Sequence, residues 1–420
     1  MNMTSIRSAD MPKIAIVGAG AAGLLAAGSA ASLGADVTVF EANSRPGKKL
    51  LITGKGRCNV TSDSTLEELI ANVTKNERFL YSAFSALSPT DLMALIEEHG
   101  TKLKTERGRR VFPISDKSSD ILGALLSYAK GAKLVFERVL DVKTEDQRAI
   151  GVVTSKGFIP FDAVILATGG VSYPLTGSDG SGLRIAKGLG HTVTPLIPSL
   201  VPLVSPSHLC PQMQGLSLRN VAITVRDGDT VVYRDFGEML FTHFGVSGPM
   251  ILSASAHLRK TDFSSCMLSI DLKPALDEKE LDHRLLSDFS KAPNKDFANA
   301  LGALLPSKMI SPFISYLKID PRKKVHTITK KERREILCAL KCFEIPISGF
   351  RPIEEAIVTS GGVSVKEIQP KTMESKQIKH LYFAGEMIDV DAYTGGYNLQ
   401  IAFSTGYLAG RAAAEATLPI

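Results

Sequence analysis

Apolar and polar positions along the chain fall into three textures. Residues 13–41 begin with the short apolar strand Ile14, Ile16 and Val17, pass through a glycine turn into a helix of small residues, and end on a second strand, a βαβ order. From Thr65 to His99 the apolar residues recur every three and four positions (Leu66, Leu69, Ile70, Val73; Phe79, Phe84, Leu87; Leu92, Leu95, Ile96), which predicts amphipathic core helices. Strands are predicted at 133–137, 141–145 and 149–154, and the run AVILATGG after Phe161 reads as a buried parallel strand.

The texture changes between about 194 and 353. Prolines 195, 198, 202, 206 and 211 mark a boundary, and alternating segments at 218–225, 230–236, 239–244 and 268–272 predict an antiparallel unit. Helices are predicted at 277–290, 295–305, 307–317 and 329–342, before a strand at 344–350. The last 67 residues return to the first texture, with a strand at 381–384 and a closing helix from about 398 to 416.

Chemistry enters at the glycines. Gly18, Gly20 and Gly23 form a G-x-G-x-x-G fingerprint: a tight turn, a close approach of backbone to pyrophosphate, and close packing of helix on sheet. The helix start there, with Ala21 and Ala22, offers free amides and the positive end of its dipole. Glu41 stands 18 residues after Gly23, at the end of the second strand, where a carboxylate accepts hydrogen bonds from ribose hydroxyls; Ala42 follows it. The next stretch, 42–62, holds Arg45, Lys48, Lys49, Lys55 and Arg57 and no acid, so five positive charges are expected around a polyphosphate. No second complete G-x-G-x-x-G is present.

The block from Gly47 to Thr61, P-G-K-K-L-x-x-T-G-K-G-R-C-N-V-T when read from Pro46, resembles the aminoacetone oxidase family of FAD-binding enzymes, as does the closing series Ala-Gly-Glu (384–386), Asp-x-Asp (389–391) and Thr-Gly-Gly-Tyr-Asn-Leu-Gln (394–400). Members of that bacterial family include a reductase of conjugated enones in oxidised bile acids. The resemblance covers nearly the whole chain. It implies an α/β fold in which a Rossmann-like FAD-binding domain, 1–193 with 354–420, is split by an inserted domain, 194–353. The insert is expected to hold a β barrel at about 194–273 and 343–353 and a helical part at about 274–342. Such a split places a substrate cleft between two domains.

The resemblance also implies the cofactor residues. Beyond the fingerprint residues, Glu41 and Ala42, they are Lys48, Lys49, Thr53, Gly54, Gly56, Arg57, Cys58 and Asn59 in the block, with Val139 on the adenine side. Ala167, Thr168, Gly169 and Gly170 follow the buried strand, and Gly385, Glu386, Asp391, Gly395, Gly396, Tyr397, Asn398 and Leu399 close the site. The motif F-T-H-x-G-x-S-G-P at 241–249 holds His243, which reads either as a proton donor or as a structural histidine. His243 and Tyr397 are the catalytic candidates.

These expectations give an FAD-dependent oxidoreductase acting on a small organic molecule by hydride transfer, with NAD(P)H as a transient donor and reduction of an activated C=C bond as the specific form. The alternatives are an amine oxidase using oxygen and a flavin-dependent RNA-modifying or RNA-associated protein. The second is motivated by the insert and by 318–335, where eight basic residues face three acidic ones; without interleaved aromatics, a solvated surface is the expected reading of that segment.

Composition adds bounds. With 44% apolar and 22% charged residues the chain is an ordinary globular one, and a formal charge of +6 over 420 residues does not announce a nucleic-acid binder. Five scattered cysteines suit reduced thiols rather than a disulfide framework. Cys338 and Cys342, four apart on a helix, read as small apolar core residues, and no metal site is expected. The polar start and the lack of any run near the roughly 20 apolar residues that span a bilayer predict a cytoplasmic protein without membrane contact.

Overall fold

The structure, a computed structural model, describes residues 11–417. It divides into two compact units, one running to Ser199 and resuming at Ile353, the other Leu200–Pro352. The sequence boundary at 193/194 moves by six residues for a physical reason: Ile197–Ser199 pairs antiparallel with Val358–Ser360, which holds the start of the proline-rich stretch, with Pro195 and Pro198, in the first unit.

The first unit is built on a five-stranded parallel sheet. Its strands lie in the order Leu381–Phe383, Ala163–Leu166, β1 (Lys13–Val17), β2 (Asp36–Phe40) and Lys133–Val135. Ile14, Ala15 and Ile16 have no exposed surface, as expected of a parallel strand covered on both faces. Helix α1 (Ala21–Ser32) packs against the closing helix Tyr397–Thr417 at unusually close range. A β-carbon on Gly406 would strike the backbone of Ala22, and one on Gly410 would strike that of Ala26, so the small residues of both helices are what allow the contact. Ser29 Oγ donates to Tyr407 O at 3.0 Å and completes it.

An antiparallel meander (139–145, 148–154, 157–160) follows the strand at 133–135. Another small sheet joins Thr61–Ser62, Arg110–Pro113 and Leu103–Glu106. The stretch after Gly47 opens with the short helix α2 (Lys48–Ile52).

The second unit has its own core, with Phe297, Phe313 and Phe343 fully buried. Its seven-stranded sheet runs Phe343–Pro346, Cys266–Asp271, Ser217–Asp227, Thr230–Thr242, Gly245–Ser247, Leu203–Val204, Gly349–Phe350. The two edge strands are one stretch of chain. Ile347 N donates to Cys266 O and Ser348 N to Val204 O, both at 2.9 Å, so residues 343–350 bond both edges and the sheet closes on itself. The expected pair 230–236 and 239–244 is one strand, because Gly237 pairs with Val221 instead of turning the chain. Helices Glu278–Ser290, Ser307–Leu317 and Lys330–Lys341 complete the unit. Cys338 and Cys342 depart from their core reading: Cys338 is exposed on its helix and Cys342 half-buried at the end of it, since the apolar face is taken by Ile336, Leu337, Ala339 and Leu340.

Candidate functional site

Parallel strands end with unpaired backbone groups on one edge of the sheet, and ligands bind there. In the first unit every strand of the five contributes the residue after its carboxyl end to one groove: Ala384, Ala167, Gly18, Glu41 and, past Lys133–Val135, Glu137. Four interstrand steps of about 4.8 Å give the groove a length of about 19 Å, suited to an extended dinucleotide. Its empty volume, open mouth included, is about 1340 Å³.

At the middle of the groove Gly18 has φ +108°, and a β-carbon on it would lie 2.6 Å from Ala167 O. Gly20 differs. Nothing in the protein comes within 4 Å of where its β-carbon would be, so its open face is room for a ligand. It is also the N-cap of α1 and carries no side-chain cap, which leaves the first helical amides free for phosphate oxygens. Gly23 lies inside, where a β-carbon would strike Gly18 O, and serves packing.

Glu41 is buried and already engaged. Its Oε2 accepts from Ala19 N at 3.0 Å and its Oε1 from Asn43 N at 2.8 Å and Asn43 Nδ2 at 2.7 Å. This fixes the carboxylate at the end of β2, with lone pairs to spare for hydroxyl donors. At one end of the groove stand Glu137, Arg138 and Val139; toward the other the lining turns apolar with Leu50, Ile357, Val358, Val390 and Leu399. A polar sugar–phosphate track ending in an apolar slot is the donor set that FAD requires.

Glu386 shows how the apolar end is held. Its Oε1 accepts from Thr359 N (2.7 Å) and Ser172 Oγ (3.0 Å), and its Oε2 from Lys49 Nζ (2.5 Å). Burial pushes this carboxyl up, but Lys49 and the donors from Thr359 and Ser172 outweigh it and hold it below the ordinary carboxylate range.

The sequence matches the family described as HI0933-like protein Rossmann domain over residues 12–412. This chain belongs to that family. The fold is the Rossmann-type FAD-binding fold, and the protein is a flavoprotein oxidoreductase. The chain is 31% identical over 411 residues to a 3-dehydro-bile acid delta(4,6)-reductase of Clostridium scindens, covering 96% of this chain and 100% of the relative. It is 32% identical over 401 residues to a ribosomal RNA dihydrouridine synthase of Haemophilus influenzae, covering 93% and 96%. The solved 3-ketosteroid delta1-dehydrogenase of Sterolibacterium denitrificans shares the fold at a TM-score of 0.53 and 12% identity, covering 97% of this chain and 100% of that one.

For this family member the groove brings together Gly18, Gly20, Ala21, Ala22, Glu41, Ala42, Lys48, Lys49, Thr53, Val139, Ala167, Thr168, Gly169, Gly385, Glu386, Asn398 and Leu399. Other expected residues lie elsewhere. Gly170 packs on Thr359. Asp391 is spent on structure, accepting from Ser199 Oγ at 2.7 Å and Ser360 Oγ at 3.2 Å. Gly395 and Gly396, expected to let backbone approach the flavin, have φ of +129° and +102° and instead leave room for the Tyr397 ring and the Thr61 backbone. Tyr397 Oη accepts from Ser62 Oγ at 3.4 Å.

The basic stretch is the main revision. Of its five cations only Lys48 and Lys49 line the groove, and both are already bonded, Lys48 to Asn43 Oδ1 at 2.9 Å. Arg57 reaches away to Glu106 and Asp116 and covers the Phe112 ring. Gly54 and Gly56 form the turn beneath it, both at positive φ, and Cys58 is buried in the core. Asn59 is the exception worth keeping: its Oδ1 is buried without a protein partner, an acceptor that a ligand N–H can satisfy. His243 is exposed in the second unit, edge-on to Phe244 with ring centroids 5.0 Å apart.

Sequence reading missed Asn43, Glu137 and Arg138, which line the groove with the turn Thr176–Ser178. Gly177 carried a signal: its φ is +104° and a β-carbon there would strike Asn43 Nδ2, so it is glycine to let the Asn43 side chain bond Thr176 O.

Proposed function

We propose that this protein uses FAD to reduce a carbon–carbon double bond conjugated to a carbonyl, with NAD(P)H as electron donor. One observation carries the reading. Two relatives that each align over more than nine-tenths of the chain have names describing different substrates and one chemistry. A delta(4,6)-reductase of a 3-dehydro bile acid saturates bonds conjugated to the 3-ketone, and a dihydrouridine synthase saturates the uracil C5–C6 bond, conjugated to the C4 carbonyl.

FAD, when bound, would supply the two-electron hydride chemistry that this reduction needs. The chain's own residues bind and orient. The α1 amides and the open face of Gly20 would hold the pyrophosphate, and Glu41 a ribose. Leu50, Ile357, Val358, Val390 and Leu399 would exclude water from a ring held at the apolar end. A proton must reach the α-carbon as the bond is reduced. The Tyr397 hydroxyl, held by Ser62, is the group of the first unit assigned to donate it.

A second reading, in which the conjugated carbonyl belongs to a uracil in RNA, is favoured by the Haemophilus relative. Both readings place the protein in the cytoplasm, where NAD(P)H and reduced thiols coexist.

Anaerobic mixing with NADH or NADPH tests the proposal. Flavin absorbance should bleach and then return on adding a cyclic enone or a uridine-containing RNA, with the saturated product detected by mass spectrometry. Reoxidation by oxygen alone, with every conjugated acceptor recovered unchanged, would overturn it.

A further inference from the structure

Two segments of the first unit, 53–59 and 102–117, contain eight Lys and Arg against two Asp and Glu, an excess equal to the formal +6 of the entire chain. Charge that looks unremarkable when averaged over the molecule is therefore gathered in 23 residues. The fold brings them onto one small sheet and its flanking turn. Leu103–Glu106 and Arg110–Pro113 form a hairpin with Arg107, Gly108 and Arg109 at its tip. Arg57 bonds Glu106 at 2.5 Å and Asp116 at 2.6 Å, which staples the 53–59 turn against it.

The two acids are fully occupied in doing so. Asp116 also takes Lys104 at 2.9 Å, and Arg109 is paired with Glu68. Among the described residues this leaves Lys55, Lys102, Arg107, Arg110 and Lys117, all exposed, with no carboxylate partner. Lys55 and Arg109 hold φ of +59° and +57°, uncommon for residues with side chains.

The strip adjoins the groove. Thr53, where the turn begins, lines it, as do Lys48 to Leu50 just before; Ser118 Oγ, next to Lys117, donates to Leu51 O at 2.8 Å. The other basic segment, 318–335, is different in kind. Four of its eight cations are neutralised, Lys323 by Glu332, Lys324 by Asp296, Arg333 by Asp282 and Arg334 by Glu278.

We propose that the strip carrying Lys55, Arg107, Arg110 and Lys117 is a docking surface for the phosphodiester backbone of RNA. Five unpaired cations spread over a hairpin tip, a turn and a strand end suit a chain that presents negative charge at regular intervals, more than a single dinucleotide could occupy. The only aromatic ring there, Phe112, is buried beneath Arg57 and Arg110, so the surface grips phosphates and does not read bases by stacking. The inference deepens the uracil reading above and rests on it only for the fate of the docked nucleotide.

The test titrates FAD-loaded protein into a short, labelled, uridine-rich single-stranded RNA over a salt series, followed by fluorescence anisotropy. The variant Lys55→Gly/Arg107→Ser/Arg110→Ser removes three cations, and glycine suits the backbone at 55. Its FAD content and far-UV circular dichroism should match the unsubstituted protein. Binding at low salt should weaken at least about tenfold, and the slope of log affinity on log salt should shrink by about 2, roughly 0.7 for each lost phosphate contact. The variant Lys330→Ser/Lys331→Ser should bind as the unsubstituted protein does.

Equal RNA affinity in the triple variant, or no RNA binding by the unsubstituted protein at low salt, overturns the proposal. So does intact RNA binding combined with a raised NADPH requirement for flavin reduction, which would make the strip a dinucleotide site. Failure to reduce any conjugated acceptor would sink the functional reading and leave the binding result standing.

Discussion

Lys49 and Glu386 are 337 positions apart in sequence and meet at 2.5 Å beside the cofactor groove. Lys49 lies in the first turn of α2, and Glu386 follows the edge strand Leu381–Phe383, so the pair ties the two sequence pieces of the first unit across the groove. Removing one partner of a fully buried pair costs about 3–5 kcal/mol. Here the lysine side chain keeps 23% of its surface, and a cost on the order of 2 kcal/mol is expected for Glu386→Gln. Thermal unfolding of the apoprotein and FAD titration should both register it. Lys49→Met should cost a similar amount, and the double variant less than the sum. Because the folded pKa of Glu386 is depressed, the pair's contribution is complete above the ordinary carboxylate value and is lost as pH falls through the lower, folded one. A double variant whose effects simply add would remove the coupling.

Gly18, Gly20 and Gly23 belong to one fingerprint but answer to different neighbours. Ala at 18 would be forced against Ala167 O at positive φ, and Ala at 23 against Gly18 O, so both substitutions should lower apoprotein stability by upwards of about 2 kcal/mol. Ala at 20 meets only open space, so Gly20→Ala should unfold at the same temperature without cofactor. Its loss should appear in FAD affinity alone, by tenfold or more on the order of one blocked phosphate contact. An apoprotein melting point that fell equally in all three would refute the assignment of Gly20 to the ligand.

What the sequence made legible was whatever a local pattern can encode. The βαβ unit could be read because a turn, an amide-bearing helix start and a strand-end carboxylate all fall within 29 residues, 13–41. Arg57 was misplaced because its carboxylates, Glu106 and Asp116, arrive on a hairpin that periodicity cannot dock. Gly395 and Gly396 were given to the flavin because a glycine records that something is close, not what; here it is Thr61. The domain edge shifted because Ile197–Ser199 is three residues long, too short for alternation to announce a strand whose partner is 161 positions away at Val358–Ser360.

His191 sets a pH window for stability. Its side chain is fully buried, with Nδ1 3.1 Å from Glu367 Oε2 and Nε2 3.1 Å from Ser375 Oγ. An ionised carboxylate only accepts, so Nδ1 carries the proton and Nε2 accepts from the serine. Burial pushes the imidazole below its ordinary value, and Glu367 recovers only part of that. The neutral form is therefore favoured in the fold, while the unfolded chain binds a proton below about pH 6.5. Stability should be level above that value and decline as pH falls from it toward the folded pKa. Urea unfolding between about pH 7 and pH 5.5 should show the decline, and His191→Gln should be less stable at pH 7 but flatter across the window. An unchanged slope in that variant would assign the pH dependence to another group.

Cys58 sits in the Gly47–Thr61 block beside the groove, which raises the question of a covalent bond to the cofactor. The structure argues against one. Cys58 has no exposed surface, and burial pushes its thiol up to about 12, so at neutral pH it carries over about a thousandfold less thiolate than an ordinary cysteine. Cys210 and Cys266 are buried and likewise raised, Cys266 to about 11. Cys338 is exposed and Cys342 half-buried. Iodoacetamide on the folded protein should therefore modify Cys338 first, Cys342 more slowly and the other three only after unfolding, as read by peptide mass spectrometry. Denaturation should release all flavin into the supernatant, and Cys58→Ala should keep its yellow colour, with a stability loss set by the small void it leaves. Flavin that stayed with the denatured chain on the Cys58 peptide would show that this thiol is reached after all, and that the turn from Thr53 to Asn59 opens toward the ring.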